Sequence, residues 1–92
     1  MRLDKYLQAS RLVKRRTLAN RLCDAGRVSL NGNRAKPAAE VHVGDVIGVR
    51  FGQRTLTARV LRLPAGRPSP DPAYDVIDDR RVLDDDADPE ES

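Results

Sequence analysis

The sequence predicts an α+β fold: two short helices packed on a small antiparallel sheet, followed by a disordered acidic C-terminal tail. Three observations predict it. Apolar residues repeat at helical spacing up to Gly26, then switch to a period of two. Asn31 and Gly32 stand between two alternating runs, the strongest short-range hairpin signal. From Pro64 onward the composition turns to proline and acid. An order of helix, helix, then strands suits helices on one face of an antiparallel sheet.

The elements follow in order. Leu3, Tyr6 and Leu7 fall at i, i+3 and i+4, the stripe of a short amphipathic helix whose exit is Ser10 and Arg11. A second helix is expected over about residues 14–25, with Gly26 as its left-handed C-terminal cap. At about 100° per residue, Leu18, Ala19, Leu22, Cys23 and Ala25 share its apolar arc. Arg16, Thr17, Asn20, Arg21 and Asp24 share the other. Arg15 points to the apolar side, so either the helix begins after it or its side chain reaches across the mouth of the helix pair. Cys23 on the apolar arc reads as a small buried hydrophobe.

Val28 and Leu30 form a strand, Asn31 and Gly32 a tight turn, and residues 33–36 a return strand ended by Pro37. Gly44 and Asp45 make a turn, Val46–Phe51 a strand, and residues 55–63 its partner. Residues 1–63 are therefore the folded domain and 64–73 a proline-rich linker. Residues 74–77 make a short edge strand or an anchor, within a segment reaching 83. Residues 84–92 are the acidic tail, expected to be disordered.

The formal charge of +3 conceals an asymmetry. Residues 1–63 hold fourteen Lys or Arg against four Asp or Glu, and the remaining 29 hold three Arg against ten acids. A folded domain of net charge +10 is the footprint of a protein that grips a polyanion. The acidic end suits a solvating tail. As an alternative, it folds over the basic face and screens it, or recruits a basic protein in the manner of an adaptor. Arginine outnumbers lysine fourteen to three, which favours bidentate phosphate contacts, although a nucleotide bias produces the same excess.

Other classes fare worse. The acids of the folded part, Asp4, Asp24, Glu40 and Asp45, are scattered, and no glycine-rich phosphate loop is present. The roles of a catalytic site cannot be filled, so no enzyme is expected. One cysteine and one histidine, far apart, make a poor metal site, and no cofactor is implied. No apolar run approaches the ~18 residues of a membrane span. The expectation is a soluble cytoplasmic protein, monomeric when free, with no membrane partner.

The basic residues cluster. Arg11, Lys14, Arg15 and Arg16 crowd the start of the second helix, where backbone amides also favour phosphate. Arg21 follows on that helix, Arg2 and Lys5 come from the first, and Arg27, Arg34 and Lys36 flank the hairpin. Together they are expected to form one surface. With only Tyr6, Phe51 and Tyr74 aromatic, stacking on single strands is disfavoured, and shape recognition of structured RNA fits better. Helix-turn-helix reading of DNA is the rival, weakened by the long connection between the helices and the hairpin that follows them. Asn31 either only makes the turn or also meets a ribose or phosphate. Asp4 either caps the first helix or orients arginines.

The runs Arg2-Leu3-Asp4-Lys5-Tyr6-Leu7, Ser10-Arg11-Leu12-Val13-Lys14-Arg15-Arg16-Thr17, Ala25-Gly26-Arg27-Val28-Ser29-Leu30-Asn31-Gly32, Lys36, and Val43-Gly44-Asp45 occur in order. Over residues 2–50 they resemble the RNA-binding domain named after small-subunit ribosomal protein S-four. The resemblance implies a helix pair on a small sheet that binds structured RNA through its helix face and hairpin. Lys14-Arg15-Arg16-Thr17-Leu18-Ala19, Asn31-Gly32-Asn33 and Arg50-Phe51-Gly52-Gln53 are most similar to the stand-alone members that act in ribosome-associated quality control. That implies ribosomal RNA of the large subunit, peptidyl-tRNA and an RqcH-like protein as partners in alanine tailing of stalled chains. The alternatives are a large-subunit recycling factor of the heat-shock-protein-fifteen type, whose C-terminal extension is typically basic, or a ribosome assembly factor. The family's pattern implies RNA contacts from Arg2, Asp4, Lys5, Arg11, Lys14, Arg15, Arg16, Thr17, Asn31 and Lys36. Charge and the helix wheel add Asn20, Arg21 and Arg27.

Overall fold

The computed structural model describes residues 1–64 and 72–81. Helix α1 spans Leu3–Ala9 and α2 spans Arg16–Asp24. Strands β1 (Val28–Leu30), β2 (Asn33–Arg34), β3 (Val46–Phe51), β4 (Arg54–Val60) and β5 (Tyr74–Arg81) form one antiparallel sheet in the order β2-β1-β3-β4-β5. Most of the expected linker and the whole expected acidic tail lie outside the described residues.

Leu3, Tyr6 and Leu7 of α1 are fully buried with Ala19 and Cys23 of α2 against the inner face of the sheet, where Val28, Ile47, Val49, Leu56, Ala58 and Val60 point. The strand pattern is the period of two in the sequence, one face buried and the other exposed. Helix α2 uses a narrower stripe than expected. It begins at Arg16, after Arg15, which is its extended N-cap residue. The helix meets the core through Ala19 and Cys23, leaving Leu18 41% exposed and Ala25 at the surface. Leu22, one residue from Cys23, still packs partly buried against the core, while Leu18, about 100° round the helix from Ala19, turns outward.

The C-terminus of α2 is closed as expected. Gly26 has φ +76°, its N–H reaches the Cys23 carbonyl at 3.0 Å, and the Arg27 N–H reaches that of Leu22 at 2.9 Å, the paired bonds of a Schellman cap. Helix α1 ends with Arg11 in the same left-handed role at φ +70°, a conformation strained for any residue but glycine or asparagine. The hairpin turn has φ +54° at Asn31 and +86° at Gly32, the double positive φ that a type I′ turn requires.

Strand β5 is twice as long as the sequence suggested. It continues through Asp78 and Asp79 to Arg81, with a bulge where β4 passes from Thr57 to Ala58. Asp79 accepts a two-bonded fork from Arg54 of β4, at 2.9 and 2.8 Å. These charges suit an outer strand, where they discourage pairing with a further chain. The start of β5 is tied to the core: the buried Tyr6 hydroxyl donates to the Ala73 carbonyl at 2.7 Å.

Candidate nucleic-acid interface

The site is organised by an acid. Asp4 is 2% exposed and is the one buried charged residue among the described residues. It does not cap α1, which has no side-chain cap at Arg2. Instead the α1 amides of Leu3 and Asp4 donate to the carbonyls of Ala39 and Pro37, at 2.8 and 3.1 Å. That frees the Asp4 carboxylate for side chains. Arg2 donates to its two oxygens at 3.2 and 3.3 Å, and Asn20 of α2 donates to Oδ2 at 3.4 Å. Arg16 of α2 pairs with Oδ1 at 3.5 Å.

Burial pushes the Asp4 carboxyl up, but hydrogen bonds from Asn20 and Arg2 and the charges of Arg16 and Arg2 outweigh it, and its pKa lies below the usual 3.8. The carboxylate therefore stays ionised and draws two guanidinium groups together. The Arg2 and Arg16 side chains remain 51% and 49% exposed. Each guanidinium carries five N–H donors in a fixed fork, so donors remain for an external anion. Orientation of arginines is thus the role the geometry gives Asp4.

The start of α2 strengthens this arrangement. Its N-cap has no side-chain bond and its first turn holds no acid, while Lys14, Arg15 and Arg16 are all exposed there. Cations at the positive end of a helix dipole are unfavourable by roughly 0.3–1 kcal/mol each. An anion such as phosphate placed there would relieve that repulsion and accept from the free amides. Thr17 is exposed on the same first turn, and Lys5 and Arg11 are exposed on α1 and at its exit.

Other expected residues fall elsewhere. Arg16 and Asn20 turn toward Asp4 rather than sharing a solvent face with Arg21, which at about 100° per residue lies about 140° from Arg16. The Asn31 amide is committed: it donates to Asp45 at 3.1 Å and accepts from the Val46 N–H at 2.9 Å, locking the hairpin to the start of β3. Burial and register put Arg27 on the outer face of the sheet, away from the helices, so the basic residues do not form one surface. Lys36 is exposed in the segment whose carbonyls cap α1. The sequence carried no signal for that capping, which uses only main-chain oxygens. Cys23 is 2% exposed, and burial together with the charges of Asp4 and Asp24 pushes its thiol up to about 11, so it acts as core. No group of three or more His, Cys, Asp or Glu that could hold a metal occurs among the described residues.

Residues 1–47 match the S4 domain family. The chain is 56% identical over 63 residues to the RQC P-site tRNA stabilizing factor of Bacillus subtilis, covering 68% of this chain and 73% of that protein. It is 42% identical over 84 residues to the factor of that name from Streptococcus pneumoniae, covering 89% and 96%. The chain belongs to this S4-domain family. The solved trimeric structure of Vibrio cholerae heat shock protein 15 is similar in fold, with a TM-score of 0.73 at 35% identity over 83% of this chain and 80% of that one. The fold implied by the sequence is thus shown twice, by the sheet and helices themselves and by a solved relative.

Proposed function

We propose that this chain is a non-enzymatic RNA-binding factor that holds peptidyl-tRNA on the large ribosomal subunit during quality control of stalled nascent chains. It contacts ribosomal RNA and tRNA in the cytoplasm and works beside an RqcH-like protein. The names of the two relatives support the tRNA assignment. The observation that carries the mechanism is the Asp4 cluster, in which a buried carboxylate aims Arg2 and Arg16 beside the uncapped start of α2. Lys5, Arg11, Lys14, Arg15 and Thr17, exposed on α1, at its exit and at the start of α2, are the nearest candidates for further contacts, with Arg21 and Lys36 more distant ones. The binding surface reads backbone and shape, because charged forks dominate it. The reading assigns the chain no chemical step.

The test is sucrose-gradient sedimentation of a tagged full chain from lysate, with identification of the bound RNA and proteins. Wild type is expected with large subunits, tRNA and the RqcH-like partner. Arg16→Ala is expected to remain folded by circular dichroism and to move to the top of the gradient. Six phosphate contacts give a log–log salt slope of about −4 to −5; a flat response, or equal sedimentation of the variant, refutes the mechanism. Large subunits without tRNA favour a ribosome assembly factor. The second reading, a heat-shock-protein-15-like factor, is supported by the similarity in fold.

A further inference from the structure

The helices cover one face of the sheet, and no described element covers the other. Ser29, Gly48, Thr55 and Thr57 lie on this outer face, because their chain neighbours Val28, Ile47, Val49, Leu56 and Ala58 are buried on the inner one. The register sets the outer residues in rows. Arg34 stands opposite Ser29, Ser29 opposite Gly48, and Gly48 opposite Thr57. In the next row the Arg50 N–H donates to the Arg27 carbonyl at 2.9 Å, and Arg50 stands opposite Thr55.

The rows meet in a shallow depression of about 310 Å³. Arg27, Arg34 and Arg50 line it, with Ser29, Thr55 and Thr57 between them. Gly48 keeps the floor low: a Cβ there would stand 2.6 Å from the Ser29 Oγ. No carboxylate lines the depression. The outward acids of β5 lie beyond it: Asp78 opposite Thr57, already bridged to Arg80 at 3.2 Å, and Asp75 opposite Arg59. Arg34 is partly committed, donating to the Asp24 carbonyl at 3.3 Å, while Arg27 and Arg50 are exposed.

We propose that this depression is a second phosphate-binding site, on the face opposite the Asp4 cluster, and that its ligand is the backbone of an RNA. Three guanidinium groups around a floor of hydroxyls and a bare glycine suit a phosphodiester, which arginine forks bind in pairs and hydroxyls complete. The lining holds no aromatic ring on which a base would stack. One small domain then grips two RNA segments, one on its helix side and one on the open face of its sheet, as a clamp between RNA elements requires. The inference rests on the function proposed above only in taking RNA as the source of the phosphates.

The test is an NMR titration of the full chain with a short RNA hairpin, following backbone amides. Two groups of signals are expected to move: Arg16 to Asn20 on α2, and Ser29, Gly48, Thr55 and Thr57 on the sheet, in separate steps. The Arg27→Gln, Arg50→Gln double variant is expected to keep a native spectrum and the α2 step. Its sheet step should weaken at least about tenfold, with the salt slope of that step reduced by about 2. Movement on α2 alone, or sheet movement that survives the double variant, overturns the second site and leaves the Asp4 surface standing. Movement on the sheet alone that the double variant abolishes supports the second site and overturns the other. No movement on either overturns both.

Discussion

Asp4→Asn separates orientation from bulk charge. The substitution keeps the side-chain shape and raises the charge of the domain by one. If affinity for RNA follows net charge alone, the variant binds more tightly and its salt slope steepens. If the buried carboxylate positions Arg2 and Arg16, the variant binds less tightly, because both guanidinium groups lose their anchor and repel one another. Hydrogen bonds to a charged group are worth about 1.5–3 kcal/mol each when fully buried. Here both arginines are half exposed and return to water when released, so the total loss of stability is about 1–3 kcal/mol. The loss of one preorganised phosphate contact is about 1 kcal/mol, roughly fivefold in affinity.

The pH dependence supplies an internal control. The folded pKa of Asp4 is lowered from 3.8. Its contribution is therefore complete above 3.8 and disappears as pH falls through the lower folded value. Urea unfolding of wild type and Asp4→Asn should differ at neutral pH, and the gap should narrow steadily once the pH drops below the usual carboxylate range. Fluorescence anisotropy with a labelled RNA hairpin at fixed salt gives the affinity. Equal or tighter binding by Asp4→Asn refutes the positioning argument, whatever the stability does.

Two further expectations follow from the backbone and the core. Arg11→Gly relieves a left-handed residue at φ +70°, so it should hold or raise stability by up to about 1 kcal/mol in urea unfolding, while its RNA salt slope shrinks by about 1. Tyr6→Phe removes the buried hydrogen bond to Ala73, costing about 0.5–1.5 kcal/mol and raising hydrogen exchange first along β5. Burial, with the charge of Tyr74, pushes the Tyr6 hydroxyl up to about 12, against an ordinary 10.0. Its contribution is thus full below pH 10 and lost as pH rises through about 12, a decline that Tyr6→Phe should not show.

Most of the architecture was legible because local signals agreed with one another. Gly26, Asn31 and Gly32 stand where positive φ is needed, and the apolar periods on either side of Gly26 give the inner faces of α1, β1, β3 and β4. The failures have physical causes. The sequence places a short strand or anchor at 74–77 and gives no sign that it continues through Asp78 and Asp79, since nothing local reveals that Arg54, 25 residues earlier, forks onto Asp79. Leu18 reads as core on a helical wheel, but the wheel does not say which part of a stripe a neighbouring helix covers. Of the candidate site, the residues were legible and their grouping was not. Asp4 reads in the sequence either as an N-terminal cap, because acids favour the first turn, or as an orienter of arginines. Only packing shows that the carbonyls of Pro37 and Ala39 already take the α1 amides and leave its carboxylate to Arg2, Arg16 and Asn20.

The charge asymmetry along the sequence acquires a direction in the fold. The basic half supplies both the Asp4 cluster and the three arginines of the outer depression. The acids of β5 collect at the far edge of the same sheet, beyond β4. The outer face therefore runs from Arg27, Arg34 and Arg50, with no carboxylate among them, at the hairpin side to a mixed edge at β4 and β5, where Asp75 stands opposite Arg59 and Asp78 is bridged to Arg80. On the reading proposed above, such a gradient does not only attract a polyanion; it favours the hairpin side of the face over the β5 side, where arginines already stand beside acids. A protein with so small a core has little apolar surface to spare for docking. On that reading, arginines held at defined positions, clear of acids on one side of the face and beside them on the other, give it orientation without enlarging that core.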